Sequence, residues 1–167
     1  KLDEYFHHSI NLDLDENIWS LGRNYPSLIN NDLKHLMDDT IMKVSKNGKL
    51  IYKKSIIKLL IENKLESLFL SYSGYDPIHV NDVEVAKKDG YLWKKDDVFL
   101  SIRNLSLIII YRPSTNKILW YSQGPWVHQH DIDIIDENTI SVFNNNLNIS
   151  KSNVNGSNDV TFYNFSK

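Results

Sequence analysis

Hydrophobic and polar residues alternate with a period of two along most of this chain, which is the pattern of β-strands that have two different faces. Three stretches share this alternation and also share a polar start that contains histidine: residues 6–13 (FHHSINLD), 79–86 (HVNDVEVA) and 128–135 (HQHDIDII). The equivalent positions Ser9, Asp82 and Asp131 are separated by 73 and 49 residues. We therefore expect a repeated structural unit.

Further strands are predicted after each histidine-bearing start. Asn47-Gly48 separates two alternating runs in the first unit and is a strong hairpin signal. In the second unit, the apolar run from Leu105 to Tyr111 indicates a buried strand. The pattern predicts two complete four-stranded units and most of a third.

A four-stranded unit that recurs at about 50 residues suits a β-propeller blade. A sandwich or a set of meanders also alternates, but the polar starts recur at one place in the unit, where the blades of a propeller converge on the central channel. We predict an all-β fold, a portion of a β-propeller with about three four-stranded antiparallel blades and a short helical insertion. Residues 1–167 would form one partial domain, with blades at about 6–53, 78–123 and 127–167. The insertion would lie at about 54–64, where the apolar residues suit an amphipathic helix.

Composition excludes several classes of protein. The net charge of −2 and the pI near 6.3 argue against a nucleic-acid-binding protein. The absence of cysteine excludes disulfides and thiolate sites. No apolar run reaches the roughly 18 residues of a membrane-spanning helix. Three blades cannot close a ring, so we expect the remaining blades of a larger chain or self-association to complete the fold.

Candidate chemistry is concentrated at the repeat starts. Five of the six histidines lie there, and we interpret the sixth, His35, as a surface residue. When the repeats are aligned, one column holds His8, Asn81 and His130, and another holds His79 and His128. Imidazoles and an amide around a channel suit an anion site or proton transfer.

An arginine adds to this set. Arg103 is predicted to end the second strand of the middle blade, on the side opposite Leu100 and Ile102. A guanidinium in that place could bind an oxyanion through two parallel hydrogen bonds or form a salt bridge at the rim.

The ordered segments HHSINLD…NIW, HVND, FLSIRN, W..QGPW.HQHDIDI and ISVFNNN resemble the arylsulfotransferase family over about residues 6–146. The resemblance implies a six-bladed propeller that transfers a sulfuryl group from a phenolic sulfate ester to a phenolic acceptor through a sulfated histidine. No cofactor is expected, and export to the periplasm is implied by the resemblance alone. Asn144 departs from the family pattern, which often has Asp in a phrase such as FDN.

Residue roles follow from the matched motifs. His130 would be the nucleophile, and His79, Arg103 and His8 would complete the catalytic set. Asn81 and His128 are the candidates for substrate binding.

Two other functions are compatible with the same residues. The propeller could be a non-catalytic binding or scaffold module, because this fold hosts many functions. A metal site is the other alternative, since His128 and His130 share one side of a strand, with His79 and His8 in equivalent blades. Three or four imidazoles suit zinc or copper.

Overall fold

The computed structural model describes residues 3–146, 149–150, 153–154 and 157–167. Eleven of its strands form three antiparallel sheets, and in the first two of these the strands are hydrogen-bonded in chain order. The first sheet contains β1 (Tyr5–Leu12), β2 (Ile18–Arg23), β3 (Asp39–Val44) and β4 (Leu50–Ser55). The second contains β5 (Val80–Val85), β6 (Val98–Ile102), β7 (Leu107–Arg112) and β8 (Lys117–Gln123).

The third sheet has three strands in the described part of the chain, in the order β9-β10-β13. These are β9 (His130–Ile134), β10 (Thr139–Asn144) and β13 (Asp159–Asn164). Between β10 and β13, the short strands β11 (Ile149–Ser150) and β12 (Asn153–Val154) pair with each other. Parts of the predicted domain lie outside the described residues, namely 1–2 and, within the predicted third blade, 147–148, 151–152 and 155–156.

The first strands of the three sheets lie next to one another, β1 beside β5 and β5 beside β9. Asp82 links all three: its Oδ1 accepts a hydrogen bond from Ser9 Oγ at 2.5 Å, and its Oδ2 accepts one from the Ile132 backbone N–H at 2.8 Å. Successive blades of a propeller have this relation between their inner strands. The histidine-bearing starts are therefore neighbours in space.

The second sheet is covered on both faces. Alternate residues of β7 point into two different cores, because side chains on a strand point to opposite sides in turn. Leu107 and Ile109 pack toward the first sheet, and Ile108 and Ile110 pack toward the third. The buried strand predicted at residues 105–111 is found as β7, which begins at Leu107 because Leu105 and Ser106 belong to the preceding turn. Its run of four aliphatic residues, 107–110, reflects burial on both faces.

The first and third sheets each leave one apolar face open in the described structure. Ile10 is 72% exposed on β1, and Leu12 and Ile51 are also exposed. On the third sheet, Phe162 is 66% exposed beside an exposed Val160.

The helical insertion follows β4. Helix α1 spans Ile56–Glu62, and its N-cap is Ser55, whose side chain accepts a hydrogen bond from Lys58 N. The helix buries Ile56, Ile57, Leu59 and Leu60. After α1 ends, Asn63 donates to the Asn116 carbonyl and accepts from Ile118 N, which ties the helix to the second sheet. A second helix, α2 (Ser67–Leu70), is one turn long.

The structure confirms the prediction of an all-β, antiparallel fold with a short helical insertion. Neither helix in the described ranges is long and apolar enough to cross a membrane. The exact blade boundaries, and a closed ring of blades, stay predictions.

Candidate active site

Left-handed backbone conformations occur within or just before the first strand of each sheet. The φ angles of His8 within β1, His79 before β5 and His128 before β9 are 58°, 45° and 50°, a region that few residues other than glycine adopt. The ladders are also irregular there: β1 bulges between His7 and Ile10, and β5 bulges between Val80 and Asp82. Such irregularities redirect side chains at the edge of a sheet.

The predicted site histidines come together with Arg103 in one group, which we call the histidine cluster: His8, His79, His128, His130 and Arg103. The His8 and His79 ring centroids are 5.3 Å apart. His8 is exposed at one side, but desolvation of its other side, then the neighbouring rings of His7 and His79, lower its pKa. Burial, and next the charge of Arg103, lower the pKa of both His128 and His130. These imidazoles are therefore biased toward the neutral form at pH 7.

The adjacent residues His7 and His8 differ in environment. His7 is turned inward, with Nε2 3.0 Å from the Gly22 carbonyl and 3.6 Å from the buried Asp39 carboxylate. Its Nδ1 lies 2.7 Å from Nδ1 of His8, which is exposed. His8 was predicted to be a catalytic residue and His7 was given no role; in the structure His7 lies directly behind His8.

Arg103 does not end β6 as predicted but begins a single turn of 3-10 helix (Arg103–Leu105) directly after it. Its backbone N–H donates to the His79 carbonyl at 3.2 Å, so the two residues are held side by side. Its Nη1 donates to Asn104 Oδ1 at 2.8 Å. Ser101, two residues earlier on β6, is buried and lies within hydrogen-bond distance of Gln129.

Asn81 lies deeper than a rim residue, with 5% of its surface exposed. Its Nδ2 donates to the Gln129 carbonyl at 2.8 Å, which joins the second sheet to the start of the third. Its Oδ1 is buried without a partner. The role of Asn81 in substrate binding stays a prediction, and the structure adds a role in fixing the segment before His130.

The segment before His130 is anchored by side chains that point inward. Trp126 is buried, and its indole N–H donates to the Ser106 carbonyl at 3.1 Å. Gln129 is fully buried and donates to Ser101 Oγ and the Leu107 carbonyl, each at 3.1 Å. These hydrogen bonds fix Trp126 and Gln129 on either side of His128 and hold His130 at the start of β9.

Sequence analysis missed the residues behind the site histidines. Asp76 Oδ2 lies 2.7 Å from His79 Nδ1, and the Asn145 amide lies 3.0 Å from His130 Nδ1. A carboxylate three residues before a histidine, as in residues 76–79 (DPIH), was a usable signal for the first. Nothing in the sequence links residue 145 to residue 130, because that contact depends on the pairing of β9 with β10.

The three imidazoles of His8, His79 and His130 have one feature in common. In each ring, Nδ1 faces another protein side chain, namely His7, Asp76 or Asn145. Nε2 is the remaining ring nitrogen, and a neutral imidazole with its proton on Nδ1 carries a lone pair at Nε2. The arrangement can thus supply a nucleophile or a proton acceptor beside the cationic Arg103.

The metal-site alternative receives no geometric support in the part of the chain that the structure describes. There, no group of three or more His, Cys, Asp or Glu side chains is placed so that it could hold a metal ion.

Replacing Arg103 with glutamine should raise the pKa of His128 and His130, because the guanidinium charge is, after burial, the largest cause that lowers both. The imidazole C2–H signals, followed by NMR across a pH titration, measure the change. Arg112→Gln is the matched control, since Arg112 pairs with Asp97 away from the cluster. Unchanged titration of both histidines in Arg103→Gln would contradict this account of the electrostatics.

Comparison with known proteins agrees with the resemblance. The family model described as Arylsulfotransferase (ASST) matches residues 3–167, nearly the whole chain. No curated protein and no solved structure matches the chain. Because the family model spans all three sheets and the histidine cluster, the chain belongs to the arylsulfotransferase (ASST) family.

Proposed function

We propose that this chain carries the sulfuryl-transfer site of an arylsulfotransferase, with His130 as the residue that is transiently sulfated. The observation that supports it most directly is the environment of His130. Its imidazole is biased toward the neutral form by burial and by Arg103, and its Nδ1 is in contact with the Asn145 amide, so Nε2 is the ring nitrogen that would attack sulfur when the proton lies on Nδ1.

The first half of the reaction would form a bond between His130 Nε2 and sulfur. The lone pair of Nε2 attacks, the bond between sulfur and the aryl oxygen breaks, and its electron pair leaves with the phenolate. In the structure the Asn145 Nδ2 group faces His130 Nδ1; a flip of the amide would present its oxygen instead, which accepts the Nδ1 proton and keeps the Nε2 lone pair free.

The second half would reverse these events with a different phenol. The acceptor oxygen attacks sulfur, the sulfur–nitrogen bond breaks, and its electron pair returns to His130. Charge on the non-bridging sulfuryl oxygens requires fixed donors, as in phosphoryl transfer. Arg103 is suited to this role by its fixed charge next to His130 and His128, and His8 lies within the same cluster.

Small aromatic sulfates and phenols are the substrates that family membership suggests, and no cofactor is required by the proposed steps. The open apolar faces of the first and third sheets support the prediction that further blades or a second copy cover them. Equivalent heads of additional blades would then complete the surroundings of the histidine cluster.

The test is release of a fluorescent phenol from its aryl sulfate, measured with and without a second phenol in the longest available form of the protein. We expect release that depends on the acceptor and parallel-line kinetics when both substrates are varied, because donor product leaves before the acceptor reacts. Absence of release from a folded, complete protein would reject the transferase and favour a binding module.

A further inference from the structure

Two acidic side chains, Asp39 and Asp76, lie behind the histidine cluster. Asp39 contacts His7, whereas Asp76 is in direct contact with the proposed catalytic imidazole of His79. Its Oδ2 is 2.7 Å from His79 Nδ1, and its Oδ1 accepts the His79 backbone N–H at 3.1 Å. One carboxylate therefore holds both the ring and the backbone of a residue whose φ angle is 45°. A lone side-chain contact would fix the ring alone.

The same residue is also connected to Arg103. The backbone carbonyl of Asp76 accepts a hydrogen bond from Asn104 Nδ2 at 2.7 Å, and Asn104 Oδ1 accepts one from Arg103 Nη1 at 2.8 Å. The His79 carbonyl in turn accepts the Arg103 backbone N–H. Asp76 thus lies at the centre of a closed network that includes two members of the histidine cluster.

We propose that Asp76 is a positioning residue that holds the Nδ1 proton of His79, so that His79 Nε2 exchanges protons with the substrate phenols. A carboxylate can only accept hydrogen bonds, so Nδ1 must be the protonated nitrogen of a neutral His79 ring. Nε2 then carries the lone pair. This inference rests on the proposed sulfuryl transfer and assigns its proton donor and acceptor.

The proton balance over both half reactions closes on His79. As the donor ester is cleaved, the departing aryl oxygen takes the proton from Nε2 of cationic His79. As the acceptor phenol attacks sulfur, its hydroxyl proton passes to Nε2 and restores the cation. The Asp76 carboxylate accepts the Nδ1 proton and orients the ring in both forms, as the aspartate does in hydrolases with a Ser-His-Asp triad.

Asp76→Asn separates positioning from simple loss of structure. An asparagine keeps one oxygen to accept the His79 backbone N–H, but it then presents an NH₂ group to Nδ1. Because an NH₂ group can only donate, the neutral His79 ring should move its proton to Nε2. Asp89→Asn is the matched control: Asp89 also accepts a backbone N–H in a loop, from Lys95, but it lies beyond the other end of β5.

Nitrogen-15 NMR of the histidine rings in the intact protein, without substrate, identifies the protonated nitrogen of neutral His79. We expect Nδ1 to be protonated in the parent protein and in Asp89→Asn, and Nε2 in Asp76→Asn. The turnover number of aryl sulfate transfer should fall by about 10⁴-fold in Asp76→Asn, with little change in KM, as in Ser-His-Asp hydrolases when asparagine replaces the aspartate and the histidine takes the wrong tautomer.

A parent protein with its His79 proton on Nε2, or an Asp76→Asn variant with unchanged tautomer and turnover, overturns the proposal. Because the NMR measurement on the parent protein needs neither a substrate nor a stable variant, it decides the tautomer even if Asp76→Asn does not fold. If the parent protein has the expected tautomer but no transferase activity, the proposed function is rejected, whereas the hydrogen bond from His79 Nδ1 to Asp76 still stands.

Discussion

Alanine at position 130 is expected to abolish acceptor-dependent release of phenol from an aryl sulfate. His130 is the proposed nucleophile, so without its imidazole the covalent step would lose the nitrogen that attacks sulfur beside Arg103. Loss of a nucleophile from a site that acts as a unit costs about 10⁶-fold in turnover in well-studied hydrolases, so only background hydrolysis should remain.

His35→Ala is the control for this substitution, because His35 is exposed and lies outside the cluster. It should retain the activity of the parent protein. The fluorescence assay used for the parent protein measures both variants, and near-UV circular dichroism checks that each is folded. Substantial acceptor-dependent turnover in His130→Ala would show that the nucleophile is another residue.

A second large effect is expected on stability when Asp82 is replaced with alanine. Asp82 is 8% exposed, and its carboxylate accepts hydrogen bonds from the Ser9 hydroxyl and the Ile132 backbone N–H. Burial raises its pKa, and the two donors partly offset that effect. Alanine would leave both donors without a partner between three sheets, at a cost of about 1–3 kcal/mol for each, so the free energy of unfolding should fall by about 2–6 kcal/mol.

Asp82→Asn tests whether the hydrogen bonds, rather than the charge, hold the sheets together. Its oxygen can accept the Ile132 N–H, and its NH₂ group can donate to the Ser9 hydroxyl oxygen, so most of the stability should be retained. Urea denaturation followed by tryptophan fluorescence gives the free energies. Equal loss of stability in the two variants would assign the effect to the charge of Asp82 instead.

Features that depend on period-two alternation could be predicted from the sequence, and features that depend on register could not. The apolar run 105–111 predicted a buried strand, and the repeat predicted that His8 and His130 occupy equivalent places, as do His79 and His128. The bulges that redirect these residues leave no mark in the alternation, because a bulge shifts the pairing partner without changing the residue types.

Asn144 departs from the family pattern, and the three-dimensional structure gives a physical reason for this that the sequence does not. Asn144 is buried, and its Oδ1 accepts the backbone N–H groups of Val127 and Asn146 at 2.8 and 2.9 Å. An aspartate would accept both bonds equally well. The Asn144 amide nitrogen, however, lies 3.3 Å from an Asp159 carboxylate oxygen, where a second carboxylate would be repelled.

The middle sheet, covered on both faces, implies that the three sheets would not open together. In stacked units that contact only their neighbours, an outer unit can detach while an inner one remains folded. We therefore expect the slowest amide exchange in β6 and β7, whereas His8 and His130 lie on the two outer sheets. Partial opening of either outer sheet would therefore take apart the histidine cluster while most of the strand structure persists, and catalytic competence would be lost at milder conditions than the fold itself.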